Sequence, residues 1–448
     1  VTALDEVEVP VARAERLLCA ATAALLLTAP VAAQQAPVAI TLAEALRRTE
    51  DVTPGVVSSR GSVRSAEMAV RQAKWAFIPQ ITLQPQANLQ LNSGQSRVDP
   101  VTGEVVSGNT SNPSYGMNVG AALPLFDGFA RNHSLRAARA REDAADANYV
   151  TSRFQAALAV TNAFFDALAN RELLQVSDAA VFRSEEQLKV ATARLRSGAG
   201  QRTDSLTALV TLGQARQNRL TAQANLANAE ASLGRLVGFE QRVAAVNDSA
   251  FYQAPTLPDT NALRGEAMAM APVLRTSTAN LTAAKAQLSQ QRAAYWPTLN
   301  ISATTNYNAS RLNDYTLEAR RQLLVGFSIQ PWTNYNRETQ VENQSIAVDN
   351  AEATLADQRR QISAQLTQNF ASLANAKEAI EVAKASVQAS QENVRVADQR
   401  YKLGVMTIVE LLQIQEQLTQ AEVNEIQARF TYLRTKAQIE ALVGRRLP

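Results

Sequence analysis

Few side chains in this sequence can do covalent or redox chemistry. There is one cysteine, Cys19, and one histidine, His133. A single thiol closes no internal disulfide, and the two residues lie too far apart to form a zinc pattern. A histidine-based catalytic arrangement would rest on His133 alone, and no neighbouring motif supports one. The glycine-bearing "SGAG" (197–200) lacks the Lys-Ser/Thr that would hold a nucleotide phosphate. No cofactor and no enzymatic activity are expected. Electrostatic chemistry remains. Asp204 and Glu410 stand at matching places after two glycine-bearing breaks, "RSGAGQRTD" (196–204) and "KLGVMTIVE" (402–410). Carboxylates gathered around one axis attract cations and repel one another. Either acid also suits the first turn of a helix, where it meets the positive end of the dipole. The sequence leaves both readings open.

Long helices must position these acids. Neither Gly nor Pro occurs from Phe129 to Ser197 or from Thr333 to Leu403. Apolar residues recur at steps of three and four: Phe154, Leu158, Phe165 and Leu168 in the first stretch, Leu355, Ile362, Leu366, Phe370 and Leu373 in the second. The pattern predicts helices over about 129–197 and 333–403, each on the order of 100 Å long at 1.5 Å per residue. Helices of that length need coiled-coil-like partners. Gly198 and Gly404 can take the left-handed conformation that ends a helix. Return helices are expected over about 203–237 and 407–443.

The rest of the chain repeats too. "TPGVVSSRGSVRSAEMAVRQAKWAFIPQITLQ" (53–84) parallels "APVLRTSTANLTAAKAQLSQQRAAYWPTLNIS" (271–302), with Pro54 to Pro79 spaced as Pro272 to Pro297. Farther on, Gly198 aligns with Gly404, Asp204 with Glu410, and "RLVG" (235–238) with "ALVG" (441–444). A unit of about 200 residues is too long for a solenoid repeat. The expected organisation is a first repeat over 34–238, a linker over 239–260, a second repeat over 261–444 and a short tail, 445–448. Thr41 is the expected N-cap of a first short helix, and Pro54 starts the next.

Each repeat also carries two alternating segments: 80–92 and 115–124, then 298–307 and 323–331. Ile81, Leu83, Ala87, Leu89 and Leu91 share one face of the first, and amides and hydroxyls share the other. About ten residues is the length a tilted membrane strand needs, although a half-buried soluble sheet alternates in the same way. Four strands cannot close a membrane barrel, which takes at least about eight. Strands that span a membrane here therefore require several chains in one barrel. The polar segment 92–114 is expected to be a long outer loop, with a shorter counterpart near 308–321.

Composition narrows the class. The chain has 448 residues, 46% hydrophobic but only 5% aromatic, and a net charge of +3 with no basic block. Nucleic acid is not an expected partner. "RAERLLCAATAALLLTAPVAA" (13–33) reads as an export signal, with Arg13 and Arg16 before a short apolar run and small residues before a cut ahead of Gln34. The acidic stretch from Asp5 to Glu8 is foreign to such a leader, so the natural start is expected downstream of Val1. A soluble periplasmic coiled-coil adaptor or scaffold would share the helical hairpins, but it would not need the paired strands.

Together the leader, "FIPQITL", "YWPTLNI", "LPLFDGFARN" and the closing "YKLGVMTIVELLQIQEQLTQAEVNEIQARFTYLRTKAQIEALVG" resemble the TolC family of outer-membrane efflux and secretion ducts. The resemblance covers nearly all of the chain after the leader. It implies a mainly α-helical protein with a membrane β-barrel. Three chains would share a 12-stranded barrel in outer-membrane lipid and a 12-helix periplasmic tunnel. It also implies a passive export duct for small molecules or polypeptides. Its partners would be a periplasmic adaptor (membrane fusion) protein and an inner-membrane pump or exporter ATPase. The family's adaptor-docking tip turns fall on Arg194, Leu195 and Gly198, and on Arg400, Tyr401 and Gly404. Its narrowing acids at the periplasmic entrance fall on Glu410 and, one turn on, Gln413, with Asp204 as the first-repeat counterpart. Gln413 departs from the acidic pattern and implies a less negative entrance. Met406 stands where some relatives carry a basic residue, so an ion-pair lock there is excluded.

Overall fold

A computed structural model describes residues 37–92, 97–98, 100–106, 110–252, 259–309 and 318–445. The expected leader, Cys19 and the residues after 445 lie outside these. Strand β1 (Val38–Ile40) leads to α1 (Leu42–Val52), where Thr41 Oγ1 accepts from the Glu44 amide at 3.3 Å. Pro54 then opens α2 (Pro54–Trp75), its fixed φ suiting the first helical position. The strands β2 (Gln80–Asn92), β3 (Arg97–Val98), β4 (Val105–Val106) and β5 (Thr110–Phe126) follow. The chain turns into α3 (Ala130–Arg196) and returns as α4 (Arg202–Val237). After β6 (Val243–Ala245) the sequence of elements repeats: α5 (Thr260–Met270), α6 (Pro272–Arg292), β7 (Thr298–Ala309), β8 (Glu318–Ser328), α7 (Asn336–Lys402) and α8 (Ile408–Val443).

The principal sheet is antiparallel, in the order β2-β5-β7-β8. Register sorts its side chains. Ile81, Ala121, Ala303 and Leu323 stand abreast, and Leu123, Ile301 and Val325 form another row on the same face. The row between them, on the other face, is Gln80, Ala122, Ser302 and Leu324, and the next row on that face is Thr82, Gly120, Thr304 and Gln322. One face is therefore largely apolar, Arg321 apart, and the other carries mostly amides, hydroxyls and glycine, Leu324 apart. No described residue covers the apolar face: Ile81 is 76% exposed, Leu323 70% and Phe327 69%. Among the described residues, both outer strands, β2 and β8, leave one edge unpaired.

Several strand limits differ from the sequence reading: β5 ends at Phe126, β7 runs on to Ala309, and β8 starts at Glu318, opposite Asn308, so residues 318–321, expected in the shorter loop near 308–321, are strand. β5 begins at Thr110, so the ladder with β2 extends to Asn92↔Thr110 and the outer loop is shorter than 92–114. Pro113 hid this extension. β8 ends at Ser328, opposite Thr298, so Ile329–Pro331 have no partner strand left. The segment 239–260 is also more than a linker. It holds β6, which pairs in parallel with β1 (Val38↔Val243), and a 3-10 turn at Ser249–Tyr252.

α3 and α7 are 67 residues each and run the full length of the helical part. The other two columns are interrupted. Near the tips the packing order is α4-α3-α8-α7, and near the sheet it is α2-α3-α6-α7. α4 is thus continued by α2, and α8 by α6. β1, β6 and the 3-10 turn lie across α3 and α8, burying Ile40 and Val243 with Phe164, Phe165 and Phe430. α5 lies across α7 and α8, with Leu263 and Ala267 against Phe370, Tyr432 and Ile439. Among the described residues no helix is long and apolar enough to cross a membrane.

Candidate functional site

The two helix tips are built alike. In the first, Ser197, Gly198 and Ala199 donate their amides to Ala193, Leu195 and Arg194 at 3.0, 3.1 and 2.9 Å. In the second, Leu403, Gly404 and Val405 donate to Gln399, Tyr401 and Arg400 at 3.1, 3.0 and 3.0 Å. Gly198 and Gly404 have φ of 76° and 79°, the left-handed values that let the last carbonyls find donors.

The helices restart differently. Thr407 caps α8 in a capping box: its hydroxyl accepts from the Glu410 amide at 3.3 Å, and Glu410 Oε2 accepts from the Thr407 amide at 3.3 Å. In the first repeat Gln201 occupies the capping position and makes no side-chain cap. Asp204 is therefore not drawn back onto the cap, and it lies half-buried near Tyr401. Glu410 and Gln413 are both exposed on one face of α8. The two acids that align in sequence thus occupy unlike surroundings.

Arg194 and Tyr401 join the tips. The Arg194 guanidinium stacks 4.9 Å from the Tyr401 ring centre, and its Nη1 donates to the Tyr401 carbonyl. Its Nη2 donates to the Ala199 carbonyl at 3.3 Å, so one side chain closes its own turn and grips the other. Tyr401 is 2% exposed and packs with Ala191, Ala208, Ala397, Ile408 and Leu411; Met406 lies against the same cluster. Burial raises the Tyr401 hydroxyl above its usual pKa, and the charge of Asp204 raises it further, against a lowering by Arg194. The hydroxyl and the Gln187 amide nitrogen are both sealed from solvent, and neither meets hydrogen-bond geometry. Of the sequence-expected tip residues, Arg194, Tyr401, Gly404 and Asp204 come together. Arg400 is exposed and Leu195 half-buried outside this cluster.

Above the tips, α3 and α8 are cross-linked by arginine–carboxylate pairs: Arg183–Glu422 at 3.3 Å, Arg429–Glu172 at 3.1 Å, and Arg434–Asp166. Arg429 also holds Glu425 at 2.7 Å and stacks 4.8 Å from the Tyr252 ring centre. At the other end, a second arginine pair secures each strand-to-helix joint. Arg131 bonds Asp127 at 2.8 Å and the Leu125 carbonyl at 3.5 Å, and stacks 5.1 Å from the Phe77 ring centre. Arg337 bonds Glu338 at 2.9 Å and the Gln330 carbonyl at 3.1 Å, and stacks 4.0 Å from the Tyr295 ring centre. Phe129, Asn334 and Tyr335, the non-glycine residues with positive φ among those described, lie at these joints. Sequence reasoning passed over these clamps. The signal was present in the alignment of "FARN" with "YNRE", which superposes Phe129 on Tyr335 and Arg131 on Arg337.

The family described as "Outer membrane efflux protein" matches residues 45–239 and 263–445. Protein CyaE of Bordetella pertussis is 26% identical over 361 residues, covering 80% of this chain and 73% of CyaE. The outer membrane protein TolC of Escherichia coli is 24% identical over 340 residues, covering 72% and 69%. The crystal structure of the Campylobacter jejuni CmeC outer membrane channel has the same fold, with a TM-score of 0.76 over 90% of this chain and 85% of that one at 14% identity. The family match takes in both repeats, their tips and their joints, and this chain belongs to the outer membrane efflux protein family.

Proposed function

We propose that three copies of the chain close one barrel, β8 of each copy pairing with β2 of the next, and that the helices continue it as a tunnel across the periplasm. The protein is an outer-membrane efflux or secretion channel. One observation carries the proposal. A four-stranded sheet has two open edges and a bare apolar face, which only closure within lipid satisfies. Three such sheets give twelve strands, within the range of closed barrels. The helical columns are open in the same sense, since α4 and α7 stand at the ends of the row.

The helix tips are the end farthest from the sheet, and so form the periplasmic entrance and the docking surface for an adaptor protein. An inner-membrane pump or an exporter ATPase supplies the energy. Glu410 and Gln413 face the axis there, one ring of acid above one ring of amide. Asp204 contributes from behind Tyr401 rather than from the pore wall. A soluble scaffold is disfavoured, because the bare face of the sheet would then stand in water.

The test is the protein mass of the detergent-extracted particle by light scattering, followed by single-channel recording. A trimer with cation-selective conductance is expected. A water-soluble monomer or dimer absent from the membrane fraction would overturn the reading.

A further inference from the structure

The row of long helices has one covered face and one bare face. β1, β6, the 3-10 turn and α5 all lie on the covered side. The opposite side of α8 carries an exposed stripe at alternating steps of three and four, beginning Glu410, Gln413, Gln417 and Gln420. The same heptad phase continues to Gln438 and Ala441 near the helix end. In the tunnel proposed above, this bare face lines the lumen.

At the upper end of the stripe the wall is dented. α8 stops at Val443, Gly444 turns with φ of 80°, and Pro272 starts α6 hard against it; a Cβ on Gly444 would lie 3.0 Å from Pro272 Cδ. Where one helix ends and the next begins, a cavity of about 520 Å³ opens between α3 and α7. Six amide side chains line it: Gln155 from α3, Gln358, Gln361, Gln365 and Asn369 from α7, and Gln438 from α8. Leu158, Ile362 and Leu442 supply an apolar floor. No charged residue is among the lining groups, and none of the six amides is hydrogen-bonded to another described residue.

We propose that this niche binds neutral, hydrogen-bonding, amphipathic small molecules in transit, the simplest class being capped amino-acid amides. The inference rests on the conduit reading and adds a site to it. Each primary amide both donates and accepts, so the wall complements amide and hydroxyl groups in several orientations. An ion would lose hydration there without meeting an opposite charge. The volume lies within the roughly 300–1,000 Å³ of small-molecule sites. Three such niches at one level would slow neutral amphipathic cargo while leaving inorganic ions to pass along the axis.

The test uses the purified channel in planar bilayers, with N-acetyl-L-tryptophanamide as the neutral probe. N-acetyl-L-tryptophan and L-tryptophanamide serve as its anionic and cationic counterparts. The expected result is a concentration-dependent series of brief current reductions with the neutral probe, much weaker with either ion. In Gln361→Leu/Gln365→Leu the half-blocking concentration should rise about tenfold, as expected for losing one or two hydrogen bonds, with the open conductance unchanged. Gln438→Leu, on a different helix, should weaken block in the same direction. Wild-type conductance with no block, with equal block by all three probes, or with block unaffected by these variants would overturn the niche and leave the conduit standing. Failure to form any pore would remove both.

Discussion

At the scale of single residues, Glu410 carries two roles that its charge separates. Its carboxylate closes the capping box with Thr407 and, in the proposed trimer, lines the entrance. Glu410→Gln keeps an acceptor for the cap and removes the charge. Cation selectivity and block by multivalent cations should fall while thermal stability stays nearly constant. Glu410→Ala should lose both, with about 1 kcal/mol of stability lost at the cap. If neither variant changes selectivity or block, Glu410 does not face the axis. Tyr401 gives a pH test. Its folded-state pKa is raised, so its contribution is complete below the unfolded value of about 10 and is lost as pH rises beyond it. Melting temperatures taken between pH 8 and pH 11.5 should therefore fall more steeply in wild type than in Tyr401→Phe. Parallel curves would show that this hydroxyl does not govern the tip. The tip glycines and N-terminal acids were legible in sequence, because a left-handed turn and a helix dipole are local. Arg194 gripping the Tyr401 carbonyl was not, because that contact joins residues from two repeats.

At the scale of elements, the periodicities located the long helices and the four long strands, but not the short helix α5, and failed where pairing decides the outcome. β1 and β6 are three residues each and carry too little pattern to be seen; they exist because each supplies the other's hydrogen bonds. β5 extends through Thr110–Ser114 because β2 continues beside it, although that stretch reads as a loop. The joints are the elements whose failure should be most visible. Arg131 and Asp127 are mostly buried, and Arg131 also holds two backbone carbonyls. Arg131→Ala leaves these groups unpaired and should cost on the order of 2–3 kcal/mol. The expected readout is a smaller heat-resistant oligomer fraction on semi-denaturing gels, with Arg131→Lys intermediate because it keeps the charge and loses the fork. Arg337→Ala should behave alike, since Arg337 makes the same three kinds of contact in the second repeat. Oligomer fractions equal to wild type in both variants would show that the joints do not depend on the clamps.

At the scale of the whole molecule, the two faces of the sheet make opposite predictions. Val325 belongs to the apolar face and Gln86 to the polar one. Val325→Arg should cost about 2–4 kcal/mol if it lies near the bilayer midplane, and deplete the channel from outer-membrane fractions. Gln86→Arg should insert normally and shift ion selectivity toward anions. The reverse pattern would turn the sheet inside out. The sequence disclosed the alternation on each strand, but the register that gathers four apolar faces into one surface depends on how the strands pair.

The unpaired edges of β2 and β8 have a genetic consequence. Each copy in a three-membered ring lends one edge to each neighbour, so a copy with one spoiled edge breaks the ring wherever it enters. A proline placed at an inter-chain pairing position of β8 should thus be dominant rather than recessive. With equal expression of normal and altered chains and random mixing, only about one ring in eight would be free of altered copies. Export in such a mixed cell should fall toward that fraction, far below the half expected if each chain worked alone.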